Sequence, residues 1–406
     1  MRIISNIALS AALTASLVAC TDYPGPVAEP GSIYWPIGLT LHPSGDVLYV
    51  MNSNFDGEFR DDRGGSIVAL DADTLMPIEG ASVEVGSFGA HMTFVPRGDD
   101  GSGRLYAAVR GDDSLVALDV GPGGQQIGCR EAGELGTAAS RNGLPCALDV
   151  VGRDPFDVVA VPETSGWVTD DIAPDDLLVV SNLGRQLALV GVRENEATGV
   201  RRGDSAIGAG FVGTNALLYF EPTGQVLAAA RRTNAVSVLD WYLDEVGEPA
   251  DILVSQAAPL PTTTELTEMR SFAATPDFKT VYLAISNPDS VVVLDARVTD
   301  EGRARLQATD QFDLDGDPSA MHIAREPDGD RLYVALRLND EVAVVSAETG
   351  EVEARIAVGE APYDMAYDES RQRLLVSLFE EGAIIAIDLD PASPTFRNVI
   401  RTSKRQ

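Results

Sequence analysis

From residue 36 onward the chain alternates short apolar runs with polar turns. The runs are nearly continuous, without the in-and-out alternation of a half-exposed strand, which is how strands covered on both faces read. One unit recurs. An opening run is followed by a turn, a run such as Leu48-Tyr49-Val50-Met51-Asn52, a second turn, and a β-branched run closing on Asp, here Ile67-Val68-Ala69-Leu70-Asp71. The second run begins again at positions 105, 177, 227, 281, 332 and 374. Short β-runs separated by Gly and Pro turns at a period of about 50 residues are propeller spacing. The pattern predicts an all-β chain: a seven-bladed β-propeller of four-stranded blades over residues 35–402, with a tail at 403–406. The closing aspartates (Asp71, Asp119, Asp240, Asp295 and Asp388) are expected to accept backbone N–H bonds from the turns that follow. Whether Ser32-Ile33-Tyr34-Trp35 adds a strand where blade seven meets blade one is left open by the pattern.

The units resemble the YVTN-type propeller repeat, whose core is Leu-Tyr-Val-x-Asn followed by a hydrophobic strand ending in Asp. Tyr49-Val50-Met51-Asn52 matches best; units three and seven, Leu177 to Asn182 and Leu374 to Ser377, lack the tyrosine. Propellers of this type are similar to seven-bladed lactonases and to the heavy subunit of quinone-dependent amine dehydrogenases.

The first residues follow another pattern. Arg2 precedes a short apolar stretch ending Leu17-Val18-Ala19-Cys20, too short for the ~20 residues of a membrane span. This resembles the bacterial lipobox, in which the cysteine is lipidated after the signal is cleaved before it. The expectation is a signal peptide at 1–19, lipidation at Cys20, and a Pro- and Gly-containing tether over 20–34. Several acyl chains would make a lasting anchor. Thr21 in place of Asp resembles an outer-membrane sorting address.

Composition narrows the partners. The 62 acidic residues against 30 Lys and Arg leave a net charge of −32. Binding nucleic acid through its phosphates, or anionic lipid through a basic patch, is disfavoured. With three His and three Cys, multi-histidine copper centres and thiolate clusters are excluded by counting. In an oxidising compartment Cys129 and Cys146 are expected to form a disulfide worth about 3 kcal/mol, two buried free thiols being the alternative. Extra length appears at Asp56–Gly65, at Gly121–Pro174 and at Asp244–Thr267, as recognition loops or tolerated insertions.

In an antiparallel blade the start of the first strand and the end of the second lie on one face of the disc, beside the channel mouth. Arg110, Arg231 and Arg337 hold nearly the same repeat position. With Arg270, and with Asn52 and Asn182 from other second-strand ends, they form a candidate rim for a carboxylate or phosphate. The alternative is that each arginine pairs with a local carboxylate. His91, Asp157 and Asp364 share a second repeat position, where a divalent cation could be held with water. His91, Arg270 and Asp364 are the set a lactonase would use. Asp313-Leu314-Asp315-Gly316-Asp317 has the alternating carboxylates of a calcium loop without its closing Glu. No haem, phosphate-loop or nucleophile-elbow motif is present, and no cofactor is assigned.

Three functions remain. The first is a lipid-anchored, non-enzymatic scaffold that binds an envelope protein or a small anionic ligand. The second is a lactonase-like hydrolase or a propeller associated with a dehydrogenase. The third is assembly or storage of cell-surface polymers.

Overall fold

The computed structural model describes residues 26–57, 64–128, 146–148, 152–161, 174–184, 187–194, 201–207, 213–231, 233–261 and 267–403; of 194 and 201–207 it describes the backbone alone. Cys20 and Cys129 lie outside the described residues. The chain forms seven blades of antiparallel strands in simple meander order. Blade 1 is Pro36–Leu41, Val47–Asn52, Ser66–Asp71 and Pro77–Glu84. Blade 2 is Gly89–Pro96, Gly103–Val109, Ser114–Val120 and Ile127–Gly128, with Ala147–Leu148 paired to its third strand. Blade 3 is Pro155–Val161, Asp176–Asn182, Ala188–Glu194 and Arg201–Ile207. Blade 4 is Thr214–Phe220, Gln225–Ala230, Ala235–Leu243 and Pro249–Pro259. Blade 5 is Glu268–Ala274, Thr280–Ser286, Ser290–Val298 and Ala304–Asp313. Blade 6 is Pro318–Glu326, Gly329–Leu336, Glu341–Ser346 and Val352–Ala357. Blade 7 is Pro362–Asp368, Arg373–Leu378, Ala383–Asp388 and Val399–Thr402.

Two stretches that look inserted in the sequence are partly blade. Within 121–174 lie the outer-edge strands of blade 2 and the first strand of blade 3, and within 244–267 lies the eleven-residue outer strand of blade 4. Their polar, Pro-containing sequences suit outer strands. The apolar core sits further in: every residue of Val47–Asn52 and of Arg373–Leu378 is buried, whereas Val352–Ala357 is mostly exposed. Second strands are sandwiched between neighbouring blades, which accounts for their unbroken apolar runs.

The recurring tyrosine straps blades together at three positions, while Tyr333 bonds Glu326 of its own blade at 2.6 Å. The Tyr49 hydroxyl donates to the Gly124 carbonyl of blade 2 at 2.8 Å, Tyr106 to Asp176 of blade 3, and Tyr282 to the Ala347 carbonyl at 3.0 Å. A phenol buried on its ring and satisfied at its tip stabilises a blade contact in both ways. The closing aspartates divide. Asp71 accepts the Thr74 N–H at 2.8 Å and Asp388 the Asp390 N–H at 3.0 Å, as expected. Asp240 and Asp295 instead pair with Arg303 and Arg297.

Blades 1 and 7 are each complete from one end of the chain, so no strand crosses the seam. Residues 32–35 form no strand. They run as an irregular strap held by Asn52, whose Oδ1 accepts the Tyr34 N–H at 3.1 Å and whose Nδ2 donates to the Ser32 carbonyl at 2.9 Å. The seam closes through side chains. Asp364 Oδ2 accepts the Leu39 N–H at 2.8 Å, and Arg371 donates to the Gly45 carbonyl at 2.8 Å. Ile33, Leu39 and Leu48 share one buried cluster with Leu375 and Ile384.

Candidate functional site at the channel mouth

Every first strand carries a register irregularity near its start, in all seven blades. A bulge leaves a residue out of the ladder and re-aims its side chain. The residues skipped by the pairing include His91, Phe156, Asp157, Asn215, Arg270, Ser319, Tyr363 and Asp364. Six of these (His91, Phe156, Asn215, Arg270, Ser319 and Tyr363), joined by Arg337, line a narrow cleft at the mouth whose water-accessible volume is about 10 Å³. Repetition of the bulge is what gathers them. The fold therefore brings His91, Arg270 and Arg337 into one cleft with the first-strand residues Asn215, Ser319 and Tyr363, and adds Phe156.

The arginines converge. Arg110, Arg231 and Arg337 are equivalent: each backbone N–H donates to the residue ahead of a first strand, Phe88, Gly213 and Asp317 respectively. Arg270 and Arg337 line the cleft, and all four arginines act electrostatically on Tyr363. Burial pushes the Tyr363 phenol above its ordinary pKa, and the four cations oppose that rise.

Most of this positive charge is answered locally. Arg110 binds Asp154 through Nε at 2.6 Å and through a second nitrogen at 3.3 Å, and its guanidinium lies 5.5 Å from the Phe156 ring centre. Arg337 binds Asp317. Arg270 binds Glu268 at 2.8 Å and stands 3.6 Å from Asp317. Arg231 is the exception: among the described residues it has no ion-pair partner, and its Nε is buried without a hydrogen bond. Burial lowers its pKa; Glu268 raises it, and the nearby Arg270 and Arg110 lower it further. Asn215 is 1% exposed, lines the cleft, and has neither amide atom hydrogen-bonded. An orphaned buried amide is costly unless something outside the protein completes it.

His91, Asp157 and Asp364 are assembled, but around a proton. The His91 Nδ1 lies 3.7 Å from Asp364 Oδ2. Burial alone would lower the imidazole pKa. The bond to Asp364 and the charges of Asp364 and Asp157 outweigh it, and the pKa is raised to about 9. The carboxylates are also occupied. Asp364 accepts the Met365 and Leu39 amides, both at 2.8 Å, and Asp157 accepts the Val158 and Leu217 amides, both at 2.8 Å. Each thus ties its own blade to the next. No cluster of three or more His, Cys, Asp or Glu among the described residues is placed to hold a metal ion. These three residues form a charged cluster whose carboxylates also tie blades 7 to 1 and 3 to 4.

Two rim candidates face elsewhere. Asn52 is fully buried in the N-terminal strap, and Asn182 is buried against the backbone of Gly152. In the Asp313–Asp317 stretch, Asp317 binds arginine, and the Gly316 and Asp317 amides both donate to Asp289. That segment is a turn held by a carboxylate. Cys146 is buried in the core of blades 1 and 2.

No protein-family model matches the chain, and no curated protein does. Solved structures are similar in fold. Hydrazine synthase of Kuenenia stuttgartiensis superposes with a TM-score of 0.58 at 14% identity, covering 92% of this chain and 99% of that one. The periplasmic gluconolactonase of Pseudomonas aeruginosa gives 0.55 at 16% identity, over 84% and 88%. A putative 6-phosphogluconolactonase of Bacteroides uniformis gives 0.57 at 15% identity, over 88% and 99%. The chain is a seven-bladed β-propeller. Identities this low show shared architecture alone, and function must be argued from the mouth.

Proposed function

We propose that this propeller is a lipid-anchored protein of the bacterial cell envelope that binds a small anion at its channel mouth and performs no chemistry on it. The supporting observation is in blade 4: among the described residues Arg231 has no ion-pair partner, and the buried Asn215 amide has no hydrogen bond. A carboxylate or phosphate would answer both, accepting from the guanidinium and from the amide Nδ2. Calorimetric titration with acetate and inorganic phosphate tests this. Binding should weaken at least tenfold in Arg231→Met; an unchanged affinity would count against the reading.

The second reading is ring opening of a lactone, favoured by His91 and Arg270 sharing the cleft and by the lactonase names of two fold neighbours. Against it, a His91 already protonated at neutral pH is no general base, and Asp364 and Asp157 each hold two backbone amides.

The anchor belongs to the same proposal. Cys20→Ala should release the protein from membranes, and full retention would refute lipidation. Pairing of Cys129 with Cys146 predicts that neither reacts with a thiol reagent after denaturation without reductant.

A further inference from the structure

The mouth has an aromatic half that a simple anion would leave unused. Trp35, Phe55, Phe88, Phe379 and Tyr363 touch ring to ring across blades 7, 1 and 2. Centroids lie 5.2 Å apart for Trp35 and Phe379, 5.4 Å for Phe55 and Phe379, 5.4 Å for Tyr363 and Phe379, and 6.3 Å for Phe55 and Phe88. Phe55 is 53% exposed and Phe88 37%. Tyr363 belongs to both halves, since it also lines the cleft with Arg270 and Arg337. Rings left in water next to a cationic mouth form a surface with one apolar and one charged side.

The backbone adds an independent observation. The residue ahead of the first strand is left-handed in six blades: Trp35 (φ 45°), Phe88 (56°), Asp154 (56°), Gly213 (87°), Asp317 (57°) and Ala361 (53°). Gly and Asp adopt this conformation readily, whereas bulky aromatic residues do so at a cost. Blades 1 and 2 place Trp and Phe there, and both rings join the aromatic patch. The turn itself is served by glycine in blade 4, so the turn does not require those rings. Strain of this kind gathers at ligand sites. The Trp35 Nε1 is buried without an acceptor as well.

We infer that the bound anion carries a planar apolar body, an aromatic carboxylate whose ring lies on the exposed rings that lead to Tyr363 while its charge faces the arginines acting on that phenol. Charge complementarity fixes the orientation, and the rings supply contact that acetate or phosphate cannot use. This rests on the anion reading for the position of the charge. The two can nevertheless fail separately.

The test is titration of the full mature chain with 2-naphthoate, gluconate and acetate. The variants are Phe55→Ala, Phe88→Gly and Arg231→Met. Phe88→Gly suits the left-handed turn, and Phe55 is largely exposed, so both variants should fold. Naphthoate is expected to bind at least tenfold more tightly than acetate or gluconate. Each aromatic substitution should remove most of that advantage while leaving acetate within about twofold, and Arg231→Met should weaken all three. Equal affinity for naphthoate and acetate, or gluconate binding as tightly as naphthoate, would overturn the aromatic inference and leave the anion reading standing. An advantage that survives both aromatic substitutions would overturn it too. No binding by any of the three would defeat both, and would favour a protein partner on this face.

Discussion

The strands Gly103–Val109 and Gly329–Leu336 have an arginine at or beside each end, and the two ends live differently. At the lower ends, Arg104 is buried against Asp176 at 2.8 Å, and Arg331 binds Glu353 at 2.7 Å. Arg373 does the same in blade 7, holding Asp368 at 3.0 Å and reaching the Ala72 carbonyl across the seam. At the upper ends, Arg110 and Arg337 meet carboxylates in half-open surroundings, and Arg231 of blade 4 pairs with none among the described residues. The lower set is buried and satisfied, Arg104 and Arg373 reaching the next blade and Arg331 the outer strand of its own. The upper set surrounds a cleft and retains a surplus. The same side chain at opposite ends of a blade therefore serves cohesion in one place and is available to a ligand in the other.

Substitutions should separate the two ends. The largest effect is expected from Arg373→Met. It removes one of the two arginines on the fully buried Asp368, leaving Arg371 at 3.2 Å, and losing a partner of a buried pair costs on the order of 3 kcal/mol. Urea unfolding should show it. Burial would raise the Asp368 pKa, but Ser370, Arg373 and Arg371 hold it below the usual value. Its contribution is present above the unfolded carboxylate pKa and lost as pH falls, so the variant should also soften the acid-side transition.

His91 comes next. Its pKa is raised, so the stability it adds is complete below about pH 6.5 and lost as pH rises through about 9. His91→Gln should flatten the fall in stability over that window by up to about 3 kcal/mol. An unchanged slope would mean the imidazole is neutral in the folded protein. Tyr106→Phe removes a buried bond between blades 2 and 3 and should cost about 1–2 kcal/mol. Arg231→Met should be smallest, within about 0.5 kcal/mol of wild type, because it breaks no ion pair and relieves like-charge crowding.

Period and composition revealed the ring because each blade is built from local runs. Tyr49 and Leu332 announce buried strands within a few residues of themselves, and meander pairing needs nothing distant. The equivalence of Arg110, Arg231 and Arg337 was legible for the same reason. What each arginine meets was not. Asp154 lies 44 residues beyond Arg110, and Asp317 lies 20 before Arg337. Nothing local distinguishes these pairs from Arg231, which has none. The bulges left no compositional mark either: Asn215 and Tyr363 were legible as first-strand starts on this face, but their gathering in one cleft was not. Asn52 matched the repeat motif and sat at the right strand end, but its amide is spent on the chain entering blade 1. The aromatic patch was the least legible feature, since Trp35 and Phe379 meet only when the ring closes.

The most direct test is to measure the unfolding free energy of wild type and Arg231→Met with and without inorganic phosphate. A ligand at 100 times its dissociation constant stabilises by about 2.7 kcal/mol. The account predicts nearly equal stability without the anion, and an anion-dependent gain in wild type that is absent from the variant. A marked loss of stability in the variant, with no anion effect in either protein, would place Arg231 with the arginines at the other end of the blades and contradict a binding mouth.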